Sequence, residues 1–113
     1  MKQFISFTIS IAVLTGILFA CSSLKPNEYT IKVYCSEGFF HGNIGNIGDD
    51  GKYTAKSVNG SKDETYYVKG QSVSCTFQKE SKSGTLTVEI LKNGKSVKKE
   101  QTTADYGVVT IAE

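Results

Sequence analysis

Few residues of this chain are of types that do chemistry, and Cys21 has the clearest context. It closes the stretch Leu18-Phe19-Ala20-Cys21, behind an apolar run that begins at Phe4 and ahead of Ser22-Ser23. A positive start (Lys2), an apolar run and a small residue before a cleavage point are the three parts of a bacterial export signal. A cysteine at that point is the acceptor for lipidation. The run is short and diluted by Ser6, Thr8, Ser10, Thr15 and Gly16, whereas a membrane span needs about 20 apolar residues. The expectation is a cleaved lipoprotein signal over 1–20, with Cys21 lipidated. Each buried methylene contributes about 0.8 kcal/mol, so two or more acyl chains would hold the protein on a membrane with no spanning helix.

The remaining cysteines are Cys35 and Cys75. An even pair in an oxidising compartment reads most simply as a disulfide. Closing a loop of about 40 residues would contribute about 4 kcal/mol by chain entropy. His41, between Phe40 and Gly42, is the only histidine, so neither a metal site nor acid–base catalysis has a partner for it. No G-x-S-x-G nucleophile elbow occurs. The stretch 43–51 (Asn-Ile-Gly-Asn-Ile-Gly-Asp-Asp-Gly) carries calcium-type ligands, but it lacks the D-x-[DN]-x-[DN]-G spacing and reads rather as a bending strand and a turn. No catalytic residue, metal or cofactor is expected. Tyr34, Phe39, Tyr53 and Tyr67 could form a surface patch for a partner or ligand, although cross-strand packing is the favoured reading.

Composition sets the scale. The chain has 113 residues and a formal net charge of +2, which falls to about +1 without Lys2. Every basic residue is lysine. Arginine is the side chain suited to bidentate grip on phosphate, so nucleic-acid binding is not expected. Residues 21–28 read as the lipidated cysteine and a polar tether holding the only proline, Pro26, and 29–113 as one small domain.

That domain shows a two-residue apolar period. Tyr29, Ile31, Val33 and Cys35 share one face of a strand, and Val73, Cys75 and Phe77 repeat the arrangement. Further strands are predicted at 38–48, 52–58, 64–69, 85–92, 95–101 and 106–111. Turns are expected at Asp49-Asp50-Gly51, Asn59-Gly60-Ser61 and Asn93-Gly94, the last being the strongest two-residue hairpin signal. Seven to eight short strands predict an all-β, immunoglobulin-like antiparallel sandwich stapled by Cys35–Cys75.

The C-terminal half carries a resemblance. Gly84-Thr85-Leu86-Thr87-Val88-Glu89-Ile90, the Asn93-Gly94-Lys95 turn and Tyr106-Gly107-Val108-Val109 resemble the MmpS-like family of small envelope proteins. The resemblance implies a β-sandwich outside the membrane and, from the actinobacterial branch, an accessory role beside large lipid exporters. Those members are held by an uncleaved N-terminal helix, where this chain has the Cys21 motif. The leading expectation is therefore a non-enzymatic envelope lipoprotein, on the periplasmic or outer side of a membrane, acting by protein–protein contact. An inhibitor or immunity-type protein that blocks an enzyme, and a lipid- or glycan-binding module, are the alternatives.

Overall fold

The structure is a computed structural model that describes residues 27–113. The signal, Cys21 and the tether up to Pro26 lie outside the described residues.

Six antiparallel strands make up the fold, and no helix occurs among the described residues. They are β1 (Asn27–Ile47), β2 (Tyr53–Gly70), β3 (Ser72–Lys79), β4 (Leu86–Lys92), β5 (Lys95–Thr102) and β6 (Val108–Ala112). Two of them are far longer than expected. β1 runs through both strands predicted between 29 and 48, and β2 runs through the predicted Asn59-Gly60-Ser61 turn. Eight expected strands thus become six.

β1 and β2 form one long hairpin, from Asn27↔Gly70 to Ile47↔Tyr53. The free side of β1 is then shared. Its first half pairs with β4 (Tyr29↔Lys92 to Cys35↔Leu86), and its second half pairs with β3 (Phe40↔Lys79 to Ile47↔Ser72). β5 extends β4 and β6 extends β3. Two four-stranded layers, β5-β4-β1-β2 and β2-β1-β3-β6, are therefore continuous through the hairpin. β5 comes to lie against β6, and β4 against β6, so the sheet curls towards a barrel. All strands belong to one hydrogen-bonded network, not to the two separate sheets of an immunoglobulin-type sandwich.

The device that allows this is the irregularity between Tyr34 and Phe39. Before it, odd-numbered residues of β1 are buried: Tyr29, Ile31, Val33 and Cys35. After it, the buried hydrophobic side chains are even-numbered, Phe40 and Ile44. Side chains alternate with period two, so an uninterrupted strand would send the two apolar sets to opposite faces. The bulge, with Gly38 at φ 76°, restores them to one face. Opposite it, Lys62 of β2 takes φ 59°, an uncommon conformation for a residue with a Cβ.

The core joins those residues to Val73, Cys75 and Phe77 of β3, Leu86, Val88 and Ile90 of β4, and Val109 and Ile111 of β6. Phe77 is its centre. Phe40 meets it edge-on with ring centroids 5.8 Å apart, and Tyr66 of β2 stacks on it at 6.3 Å across the interior. Asn93 and Gly94 have φ 52° and 86°, the paired positive values that the β4–β5 hairpin requires.

The expected Cys35–Cys75 disulfide is not present. Both are free, buried thiols. Each cysteine faces the core, as the alternation requires, but they belong to different neighbourhoods. Cys35 lies opposite Leu86 at the bulge, where its Sγ donates to the Glu37 carbonyl at 3.2 Å. Cys75 lies mid-strand between Ile44 and Ile111. An inward direction was readable from the pattern; proximity was not.

Candidate functional site

The hairpin presents two outward faces, and they differ in chemistry. The first belongs to the layer β5-β4-β1-β2. Cross-strand pairing puts Tyr67 beside Thr30 and Leu91, Thr65 beside Lys32, Glu89 and Lys99, and Asp63 beside Tyr34, Thr87 and Gln101. A groove of about 460 Å³ is lined by the last two of these rows, Lys32, Glu89, Lys99, Tyr34 and Asp63 among them. Glu89 Oε2 accepts a hydrogen bond from Ser96 Oγ at 2.6 Å. Among the described residues, Lys32, Asp63, Glu89 and Lys99 take part in no ion pair, because the only two are Lys69–Glu28 at 3.6 Å and His41–Glu80 at 3.0 Å.

The second face belongs to β2-β1-β3-β6. Its rows are Ala55, Gly45, Ser74 and Ala112; Ser57, Asn43, Thr76 and Thr110; and Asn59, His41, Gln78 and Val108. No aspartate, glutamate or lysine projects from these rows. Ser57 Oγ donates to Asn43 Oδ1 at 3.1 Å, and the Thr76 and Thr110 hydroxyls are 3.3 Å apart. One end carries Tyr53, whose phenol end lies across Gly45 in the space a Cβ would occupy. The other end carries Phe39.

Tyr34, Phe39, Tyr53 and Tyr67 are thus surface residues, 47%, 63%, 65% and 77% exposed. Cross-strand aromatic packing is the favoured expectation from the sequence; among the described residues the ring pairs are Phe40–Phe77 and Tyr66–Phe77, which include none of the four. Tyr34 and Tyr67 stand on the first face, Phe39 and Tyr53 on the second. They form no single patch.

His41 is on the surface, with Nδ1 3.0 Å from Glu80 Oε2. The stretch 43–51 ends β1 and makes a turn in which Asp50 Oδ1 accepts the Lys52 amide at 2.9 Å. Among the described residues no three His, Cys, Asp or Glu side chains gather as a metal would need. Burial pushes the Cys75 thiol up to about 12, far from the thiolate range of a nucleophile. Burial, and then the Glu64 carboxylate, also raises Tyr66.

Sequence reasoning missed Lys79. It continues the inward series Val73, Cys75, Phe77 and is fully buried. Its Nζ donates to the Gly84 carbonyl at 2.7 Å and the Ser83 carbonyl at 3.4 Å. Ser83 Oγ in turn donates to Glu37 Oε1 at 2.6 Å, and the Thr85 amide to Ser36 Oγ at 2.8 Å. These bonds tie the β3–β4 loop to the bulge in β1. The alternation in β3 was the available signal, overridden by the charge on a lysine.

Comparison of the chain with family models, with curated proteins and with solved structures finds no match.

Proposed function

We propose that this chain is a lipid-anchored protein of the bacterial envelope, on the periplasmic or outer side of a membrane, that works by protein contact and not by catalysis. The observation that carries the reading is the grooved face of β5-β4-β1-β2. It sets Lys32, Lys99, Asp63 and Glu89 around a depression and leaves them without ion-pair partners in the described chain. Such alternating charges steer encounter and select a partner of complementary pattern. Exposed Tyr34 and Tyr67 add the aromatic contact area that protein interfaces favour. The Leu18-Phe19-Ala20-Cys21 motif supports the anchor, and the likeness of residues 84–109 to the MmpS-like family supports an accessory role beside a larger envelope assembly.

The test is crosslinking of the full lipidated protein in native membranes. A double charge reversal, Lys32→Glu with Glu89→Lys, should abolish the partner's crosslinked band. Cys21→Ala should release the protein from the membrane and weaken capture of a membrane partner. A band indifferent to both changes would reject the reading. Recovery of a soluble hydrolase independent of Cys21 would favour the inhibitor alternative.

A further inference from the structure

We propose that the second face, β2-β1-β3-β6, binds a neutral glycan chain. This does not rest on the protein-contact reading, which uses the other face and other side chains.

A neutral polysaccharide offers hydroxyls at its edges, apolar C–H surfaces on the faces of its rings, and no formal charge. A surface that fits it supplies short hydrogen-bonding side chains and an aromatic plane, and it keeps charges away, because covering an unpaired charge costs its hydration. In a chain of thirteen lysines and eleven acidic residues, the three rows from Gly45 to His41 project none of either, and the one carboxylate beside them, Glu80, stands at the Phe39 end. The only ion pair of this face, His41 with Glu80, lies at that end.

The polar groups are arrayed, not scattered. Ser57, Asn43, Thr76 and Thr110 form one row across four strands. Antiparallel neighbours are about 4.8 Å apart, so the row spans roughly 14 Å. Asn43 uses its oxygen to accept Ser57 Oγ, so its two amide donors are not used in that bond. The Thr76 and Thr110 hydroxyls satisfy one bond between them and retain further capacity.

Tyr53 supplies the plane. Gly45 has no Cβ, so the ring lies across the strand, and Tyr53 stays 65% exposed. Tyr53 contributes apolar area that is laid against the sheet without being buried by it. Phe39 stands at the far end of the face, roughly 20 Å from the Gly45 over which the ring lies, at about 3.3 Å per residue. An extended chain of several sugars could therefore touch both rings while crossing the polar rows. An anionic lipid surface would call for clustered lysines, and none project from these rows.

The experiment is calorimetric titration of the full lipidated protein, in a polyoxyethylene detergent that carries no sugar, with chitohexaose and cellohexaose. Saturable binding of at least one is expected, unchanged between about 0.05 and 0.5 M salt because no charge is engaged. Tyr53→Ala should weaken it about tenfold. Because Tyr53 also shields Gly45, Ser57→Glu is the second variant. It changes an exposed hydroxyl, leaves the ring in place, and should weaken binding by a similar factor. Tyr67→Ala, on the other face, should change nothing. The proposal is overturned if folded protein binds neither oligosaccharide, if binding ignores both Tyr53→Ala and Ser57→Glu, or if it fades with salt. It is equally overturned if sedimentation shows a dimer of this chain that Ser57→Glu dissociates, since a second copy would then cover the face.

Discussion

The two outer faces are built on the same two strands, yet one is lined by lysines and carboxylates and the other, over its three rows, by uncharged side chains. Along the half of β1 that pairs with β4, the outward residues are Glu28, Thr30, Lys32 and Tyr34; along the half that pairs with β3 they are Phe39, His41, Asn43, Gly45 and Ile47. Burial cannot account for the difference, because both sets cover one apolar core. Solubility would be served by charges on either. The contrast teaches that outward positions, which the fold leaves free, are where the two halves differ in chemistry.

Both faces are expected to ride on one rigid body, because they share one apolar core. Phe77 tests that assumption with the largest expected effect, because it meets Phe40 from one layer and Tyr66 from the hairpin's other half. Phe77→Ala should cost about 3–5 kcal/mol, in a single denaturant transition seen alike at both faces. Two separate transitions would break the comparison. Next comes Gly42→Ala. A Cβ at Gly42 would run into the Thr76 carbonyl and the Phe77 ring, beneath the neutral face alone. Overpacking of this kind costs about 1–3 kcal/mol, and hydrogen exchange should report it first in β1 and β3, with the β4–β5 side unmoved.

Alkali offers a graded test. Cys75 lies under the neutral face, and burial raises its pKa from 9.0 to about 12. In the unfolded chain the thiol ionises near its ordinary value, while in the folded chain it stays neutral. Stability is therefore level below pH 9 and falls as pH rises from 9 towards 12. Tyr66, raised by burial and by Glu64, acts in the same direction. Chemical denaturation across this range should show the loss, and Cys75→Ala should flatten part of it. A Cys75→Ala protein with an unchanged alkaline slope would assign the whole effect to other groups.

Smaller still are the two exposed ion pairs, one at each face. Glu80→Gln and Glu28→Gln should each shift stability by about 0–1 kcal/mol, which thermal melts in low and high salt would resolve. A large effect from either would mean that one face is held by its charges. Last is an expected null: with Cys35 and Cys75 free, added reductant should leave the melting curve in place.

Much of this was readable in the residues. The period of two, the inward sides of Tyr29, Ile31, Val33, Cys35, Val73, Cys75 and Phe77, and the Asn93-Gly94 hairpin all follow from local rules that the structure obeys. What failed did so where glycine was taken for punctuation. Gly60, read as part of a turn, lies inside a strand, under the Glu64 side chain. The true irregularity in β2 sits on Lys62, a residue no turn rule selects. Reading β1 and β2 as four short strands followed from that, and so did the separate-sheet sandwich. Tyr34 and Tyr67 occupy the outward parity beside buried Val33 and half-buried Val68, as the alternation implies; which aromatic rings meet across strands depends on the register. The candidate surfaces themselves were out of reach, because each is assembled from cross-strand rows that only the register defines.

One consequence concerns force. Any load from a membrane tether would enter the described chain at Asn27 and run along β1, which is paired on both edges over most of its length. Ladder bonds stand perpendicular to the strand. A pull along β1 therefore loads many of them side by side in shear, rather than opening them one by one. Held by its first strand, the domain would grip hardest in the direction in which an anchor draws on it.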